Sequence, residues 1–351
     1  MRNRYLVTQQ LIKKNKKIVN IGIELLRMIL SFLIVVYHIY SRDKHDFILN
    51  FVLYFLNFYT ATFFLISFYF SFRSLSSKIV DVAKERILRI ILPYLIWPII
   101  IFLVKNIYIL ITLNQVKYSF RILFIQFIVG RKINDVFWFQ FNLIFISIII
   151  LIIIFIFSLK VSFFVFLFLT LSVVYFNYKG LDKDIFGSYN ISIFHSIGRL
   201  SYSYIYSITG FFLGSFNLLK IIQKKYKLKV LLFSPILIYI LKVHKKFYYL
   251  CPQINCLRID ILIVLIFIVF GSLPFDSIMG DNLIAIVKKI TSFTGGIYYM
   301  HLFIYDILST FLEVIRNRSI YSCIIIYLIC YSISLIFSNI FKTTKIKYLF
   351  I

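Results

Sequence analysis

Charged side chains are scarce in this chain, and acidic ones are the scarcest. Only 15% of its 351 residues are charged and 13 are Asp or Glu, whereas 61% are hydrophobic and 41 are Phe. A soluble globular domain is about half apolar and about one quarter charged, so this composition excludes a protein of that class. Apolar runs of helical length recur throughout and leave no stretch for a separate soluble domain. We therefore expect a single membrane domain that covers residues 1–351.

Cysteine is rare as well, with four residues in the chain. Cys251 and Cys256 share one predicted loop, while Cys323 and Cys330 lie seven residues apart in the last apolar run. These spacings fit neither a disulfide framework nor a convincing metal-ligand motif. We therefore expect no metal cofactor.

The shortage of acidic residues leaves a formal net charge of +26, which could indicate a nucleic-acid partner. The Lys and Arg residues, however, stand mostly in short segments between apolar runs, where such residues set the orientation of a membrane protein. We therefore expect membrane lipids, and no nucleic acid, around the chain. Residues 1–17 are basic, but the apolar run behind them is too long for a signal peptide and has no small-residue cleavage site. That run is predicted to be the first span.

The apolar runs predict an all-α fold, a polytopic bundle of about ten transmembrane helices over residues 18–341. A helix needs about 20 apolar residues to cross a bilayer. The predicted spans are 18–40, 48–72, 88–112, 137–157, 161–178, 200–219, 228–242, 258–274, 293–315 and 320–341. The seventh span is short and contains Pro235, so the prediction there is a tilted, broken or re-entrant segment.

Basic clusters indicate the orientation of the predicted bundle. With ten spans, the N-terminal segment, the 73–89 loop, the 220–229 loop and the 342–351 tail fall on one side. The positive-inside rule assigns that side to the cytoplasm. Basic residues at 131–132 and 245–246 fall on the other side and count against this assignment. We predict a protein of the cell membrane with both termini in the cytoplasm.

The first span carries ionisable side chains on one helical face. At about 100° per residue, the shared stripe consists of Glu24, Arg27, Ser31 and His38. A charge at bilayer depth costs at least about 2.5 kcal/mol and usually faces a protein interior or a wet cavity. The stripe therefore predicts a functional site, in which Arg27 and His38 lie about 16 Å apart along the axis. The alternative is a structural ion pair between Glu24 and Arg27 with an interfacial His38.

Three other segments carry short motifs that join this pattern. The third span begins with Arg-x-x-Arg-x-x-x-Pro-Tyr, from Arg86 to Tyr94. The fourth opens with Trp138-Phe-Gln, and the ninth with Ser-Phe-Thr-Gly-Gly-Ile-Tyr-Tyr-Met-His, which ends at His301. With Glu24, Arg27 and then His38 after ten residues, these segments resemble, in order, the acyltransferase family 3 membrane proteins. Two positions depart from that family. In the second predicted span, Phe68 stands where the family usually has glycine, and in the fourth, Gln140 stands where the family usually has leucine.

The resemblance implies an enzyme, a membrane O-acyltransferase. It would move an acyl group, usually acetyl, from cytoplasmic acyl-CoA to a hydroxyl of a cell-surface carbohydrate or glycolipid acceptor. His38 would be the general base, because a hydroxyl is a poor nucleophile until its proton is removed and imidazole titrates near neutral pH. Glu24 would hold Arg27. Arg27 and His301 would position the thioester or its oxyanion.

The resemblance also implies a donor site at the cytoplasmic end of the third span. Arg86 and Arg89, in the first turn of that helix, would grip the phosphates of the coenzyme. Ordinary positive-inside anchoring is the alternative for both arginines. Tyr298 joins the donor-binding residues because it shares a helical face with His301. With the ninth span running outwards, His301 is expected at the depth of Arg27.

Two other classes of protein remain open from the sequence. A polysaccharide exporter, or a flippase for a lipid-linked sugar, could use the ionisable stripe as a substrate path. The chain lacks a clear internal repeat of the kind common in transporters, which counts against this class. A structural membrane scaffold would not need three ionisable residues on one buried stripe.

Overall fold

The computed structural model describes residues 20–40, 59–72, 79–113, 118–130, 133–134, 136–157, 159–178, 192–216, 218–225 and 252–350. Within these ranges the chain is helical and has no β-strand, so the predicted all-α class is confirmed there. The helices are α1 (Ile21–Ile39), α2 (Tyr59–Phe72), α3 (Ile79–Leu113), α4 (Phe120–Val129), α5 (Phe137–Ile156), α6 (Leu159–Tyr178), α7 (Ser192–Ser215), α8 (Leu218–Lys225), α9 (Pro252–Ser272), α10 (Phe275–Ile278), α11 (Asp281–Thr291), α12 (Thr294–Phe311), α13 (Glu313–Arg316) and α14 (Ile320–Ile340). A 3₁₀ turn at Lys345–Leu349 follows.

Four of these helices are long and apolar enough to cross a membrane. They are α1, the Leu88–Ile111 part of α3, α5 and α14. A fifth arises if α7 and α8, which are bent by 61° relative to one another, form one broken span. The described residues therefore form a helical protein with four or five such helices, which supports a membrane protein.

The predicted ten-span bundle is not confirmed by these helices. In the predicted spans 48–72, 161–178 and 258–274, the apolar stretches found within the described residues are Thr60–Phe72, Val161–Val173 and Ile261–Ser272, each 10–17 residues long, and residues 48–58 lie outside the described ranges. The predicted span 293–315 is interrupted at Leu312, where α12 ends. The predicted seventh span, 228–242, lies outside the described residues.

α1 is the helix around which the others pack. It contacts α2, α9, α10, α11, α12 and α14. Its first half contributes Ile23, Leu26 and Leu30 to a hydrophobic core shared with α2, α5 and α7. Its second half contributes Val36 and Ile39 to a second core shared with α3, α12 and α14. Both halves of α1 are therefore packed against other helices.

α4 was not expected, because the sequence places its residues in a loop between two spans. The helix packs back along α3: the Asn106 side chain hydrogen-bonds both backbone groups of Tyr118 at 2.9 Å, and the Tyr94 hydroxyl donates to the carbonyl of Phe127 at 2.6 Å. Gly130 ends α4 with φ of 71°, a left-handed conformation that favours glycine. The chain thus re-enters the interior before α5 begins.

The C-terminal segment, predicted as a cytoplasmic tail at 342–351, packs against the helices. Its 3₁₀ turn packs against α3 and α14, and Leu349 and Phe350 are buried. The indole nitrogen of Trp97 donates to the carbonyl of Leu349 at 2.9 Å. The segment therefore closes one end of the second core.

Gly210 lets α7 approach α2 closely. A Cβ atom at Gly210 would lie 2.3 Å from the carbonyl oxygen of Leu65, a backbone atom that cannot move without separating the helices. We expect Gly210→Ala to destabilise the protein by about 1–3 kcal/mol through overpacking, measured as a lower unfolding temperature in detergent.

Gly280→Ala is the matched control, because nothing lies within 4 Å of a Cβ at that position. It should lower the unfolding temperature much less. Equal losses in the two variants would show that α7 and α2 do not depend on this close approach.

Candidate functional site

The N-terminal end of α1 is fixed by a cap and carries an ion pair. Asn20 accepts a hydrogen bond from the backbone nitrogen of Ile23 and donates to the carbonyl of Gly271 at the end of α9. Oε2 of Glu24 lies 3.7 Å from Nη1 of Arg27, with side chains 12% and 27% exposed. The two residues form the predicted pair, which lowers the cost of holding either charge among apolar helices.

The middle of the stripe faces α14. Ser31 is buried, and its hydroxyl donates to the carbonyl of Met28 at 2.7 Å. Because that hydroxyl has a single proton, its 2.9 Å hydrogen bond to the Tyr327 hydroxyl must be accepted from the tyrosine. The stripe therefore faces other helices at this level and not lipid.

The far end of the stripe meets a second histidine. The ring centroids of His38 and His301 lie 5.2 Å apart, with 39° between the ring planes. His301 is fully buried, and its Nδ1 lies 3.2 Å from the carbonyl of Ile297. Since a carbonyl can only accept, Nδ1 carries the proton and Nε2 is left as an acceptor. That Nε2 is buried and has no hydrogen-bond partner among the described residues.

The expectation that His301 lies at the depth of Arg27 is therefore wrong. His38 stands near the end of α1 and His301 in the first half of α12, so the two helices are offset lengthwise. α11, which precedes α12 in the chain, also packs against α1. The prediction had assumed that α12 and α1 start at the same depth in the membrane.

Tyr298 and Tyr299 connect α12 to the start of α5. The Tyr298 hydroxyl donates to the carbonyl of Val136 at 2.7 Å, and its ring lies 6.1 Å from that of His301. Nε2 of Gln140 donates to the Tyr299 hydroxyl. Tyr298, predicted to bind the donor, thus holds the buried segment of Ile133, Asn134 and Val136 beside the histidine pair.

The buried segment between α4 and α5 was missed by the sequence interpretation. Oε1 of Gln126 accepts hydrogen bonds from the backbone nitrogens of Ile133 at 2.8 Å and Asn134 at 3.5 Å. Both Gln126 and Asn134 are buried. The signal in the sequence was two glutamines, Gln126 and Gln140, within otherwise apolar runs.

Several polar atoms around this segment are buried without a hydrogen-bond partner in the described residues. They are Nε2 of Gln126, Nδ2 of Asn134, Oε1 of Gln140 and Nε2 of His301. Buried polar groups are normally satisfied, and exceptions often have a catalytic or binding role. The histidine pair therefore lies near buried polar atoms that are free to hydrogen-bond.

The predicted donor arginines lie elsewhere on α3. The helix begins at Ile79, so Arg86 and Arg89 are inside it and not in its first turn. Arg89 is exposed, and its guanidinium carbon lies 5.6 Å from the ring centroid of Tyr348 in the C-terminal segment. The side chain of Arg86 lies outside the described residues.

Comparisons with known proteins do not identify a family, since no family model, curated protein or solved structure matches the chain. A metal centre is not evident in the described ranges either, because they contain no group of three or more His, Cys, Asp or Glu side chains arranged to hold an ion.

Proposed function

We propose that this protein is a membrane O-acyltransferase that moves an acetyl or related acyl group from acyl-CoA to a hydroxyl of a carbohydrate or glycolipid. The observation that supports it best is the contact between His38 and His301, whose rings come from helices distant in sequence and lie 5.2 Å apart. A hydroxyl must lose its proton to attack a thioester, and a histidine pair in a polar interior can take it.

The steps follow from the residues around the pair. His38 removes the proton of the acceptor hydroxyl, the oxygen attacks the thioester carbonyl, and the carbon–sulfur bond breaks to release the thiolate of coenzyme A. The thiolate then takes up the proton that His38 removed, which returns His38 to its neutral form. Arg27 pairs with Glu24 at 3.7 Å and lies about 16 Å from His38 along the helix axis, so it would bind the donor away from the reacting carbonyl.

His301 has a different part in this proposal from the one that the sequence suggested. With Nδ1 donating to the Ile297 carbonyl, its Nε2 can accept a hydrogen bond but cannot donate one to an oxyanion. His301 therefore acts on His38 or on the proton that His38 carries.

The proposal includes a ten-span arrangement in the cell membrane with both termini in the cytoplasm. Two contacts are consistent with this order of spans. Asn20 near the start of the first predicted span bonds Gly271 near the end of the eighth, and Arg89 near the start of the third contacts Tyr348 in the tail. In a ten-span order, each pair of ends belongs on the same side. Acyl-CoA would then reach the protein from the cytoplasm.

The direct test is to incubate the purified protein in lipid nanodiscs with acetyl-CoA labelled in the acetyl group. We expect slow release of free coenzyme A thiol, and transfer of label to a carbohydrate acceptor when one is supplied. An exporter or flippase, the alternative function, would move its substrate and leave the thioester intact.

The double variant Arg86→Ala with Arg89→Ala tests the donor site. Charge-assisted hydrogen bonds contribute about 1.5–3 kcal/mol, so we expect acetyl-CoA to bind about tenfold more weakly or worse, with acceptor affinity unchanged. Equilibrium binding of labelled acetyl-CoA measures this.

Lys288→Ala with Lys289→Ala is the matched control. It removes the same charge from an exposed position on α11 and should leave donor affinity unchanged. If the arginine variant also binds acetyl-CoA normally, Arg86 and Arg89 are membrane anchors.

A further inference from the structure

A polar cleft lies at the C-terminal end of α12, one helical turn beyond the histidine pair. Its volume is about 590 Å³, and its lining residues are Tyr305, Asp306, Ser309, Thr310, Arg316 and Arg318. Tyr305 follows His301 by four residues and so lies on the same face of α12. The cleft is therefore close to the proposed reaction centre but outside the set of residues assigned to it.

The charged groups in the cleft leave it positive. Nε and Nη2 of Arg316 donate to the carbonyls of Ser309 and Thr310, both at 3.1 Å, which caps the end of α12. Asp306 is neutralised by Lys105, whose Nζ lies 2.8 Å from Oδ2. The two arginines therefore outweigh the acidic residue.

Arg318 is the residue equipped to bind an anion. Its Nε donates to the Tyr305 hydroxyl at 2.9 Å, and its guanidinium lies 5.9 Å from the centroid of the same ring. These contacts hold the guanidinium at the rim of the cleft. Nη1 and Nη2 have no hydrogen-bond partner in the part of the chain that the structure describes, so they can receive a carboxylate or phosphate in the usual two-pronged geometry.

A second cavity adjoins the cleft and is mainly apolar. It has a volume of about 170 Å³ and lies between α3 and α12. Its lining residues are Val104, Lys105, Tyr108, Ile109, Tyr118, Phe303, Asp306 and Ile307. Asp306 belongs to both cavities. A positive cleft and an apolar groove thus meet at the ion pair between Lys105 and Asp306.

We propose that the two cavities together bind an anionic amphiphile, with its phosphate on Arg318 and its hydrocarbon chain in the groove between α3 and α12. If the proposed acyl transfer holds, on which this step rests, the amphiphile is the acceptor: a sugar attached to lipid through phosphate. A soluble polysaccharide would use the cleft but not the groove. The groove is the observation that favours a lipid-linked acceptor.

The backbone at Arg318 allows a clean test. Its φ of 47° lies in the left-handed region, which Asn adopts more readily than most residues. Arg318→Asn therefore removes the guanidinium without adding backbone strain. Lys289→Asn removes one charge from an exposed site on α11 and is the matched control.

The experiment measures binding to the full-length protein in phosphatidylcholine nanodiscs, without acyl donor. The three ligands are monooleoyl phosphatidic acid, monooleoylglycerol, which lacks the phosphate, and glycerol 3-phosphate, which lacks the chain. We expect saturable binding of the first, about tenfold weaker in Arg318→Asn and unchanged in Lys289→Asn. The other two ligands should bind at least about tenfold more weakly than the first.

Equal binding of monooleoylglycerol would overturn the anion site, and equal binding of glycerol 3-phosphate would overturn the role of the groove. Unchanged binding in Arg318→Asn would remove Arg318 from the site. Because this experiment measures binding without turnover, absence of binding would not contradict the proposed acyl transfer. Absence of acyl transfer would likewise not contradict the binding result.

Discussion

His38→Ala is expected to lose acyl transfer by about 100-fold or more, the size of effect that general-base catalysis supports, while the protein still inserts and accumulates. The substitution removes an imidazole at the end of α1 without touching the pair formed by Glu24 and Arg27. The rate of label transfer from acetyl-CoA to acceptor, measured beside the amount of folded protein, checks this.

Ile29→Ala is the matched control on the same helix. Ile29 is 39% exposed, so truncating it shortens an apolar side chain of α1 without reaching the histidine pair. It should transfer label at close to the wild-type rate. If His38→Ala transfers label at the wild-type rate, His38 is not the general base.

The sequence predicted α1 well for a physical reason. Its ionisable residues interrupt an apolar run, so they mark both the helix and the face that avoids lipid. The predicted bounds 18–40 compare with Ile21–Ile39 in the structure, and Glu24 and Arg27 pair as expected. Polar residues at helical spacing thus show which face of an apolar helix is turned away from lipid.

The number of spans was harder to predict because most of the chain lacks such markers. In a uniformly apolar run, hydrophobicity does not distinguish a lipid-facing surface from a protein core. α4 was therefore assigned to a loop, although Gln126 within it anchors the buried segment before α5. The predicted span 293–315 is divided in the structure, because α12 ends at Phe311 and α13 begins at Glu313.

The contact between the two histidines could not be derived from spacing within one helix. Helical periodicity relates residues a few turns apart, whereas His38 and His301 come from opposite ends of the chain. The depth estimate for His301 assumed that its helix starts level with α1. The packing of both α11 and α12 against α1 breaks that assumption.

The buried polar atoms near α12 suggest how function and stability oppose one another at this site. Nε2 of His301 and Oε1 of Gln140 are buried without partners in the described residues, and each such group costs about 1–3 kcal/mol. A purely structural core would gain stability by replacing them with apolar groups. The proposed acyl transfer would account for their presence, which folding alone does not.

His301 allows this explanation to be tested with three substitutions that separate shape from hydrogen bonding. His301→Phe keeps a ring of similar size but has no acceptor, and His301→Asn keeps a polar group only near the position of Nδ1. His301→Gln can place an amide oxygen near the position of Nε2. If His301 acts by accepting a hydrogen bond at Nε2, Gln should retain the most activity of the three.

We expect kcat to fall by about 100-fold in His301→Phe and His301→Asn, and by about tenfold in His301→Gln, with the KM for acetyl-CoA unchanged. His301→Phe should unfold at an equal or higher temperature than wild type, because it removes a buried acceptor that has no described partner. A Phe variant that is both stable and fully active would show that His301 only fills space. A stable but inactive Phe variant would show that His301 is retained for chemistry at the cost of stability. Burial leaves its Nε2 without a partner, which destabilises the fold, but it also leaves Nε2 free to interact with the nearby ring of His38.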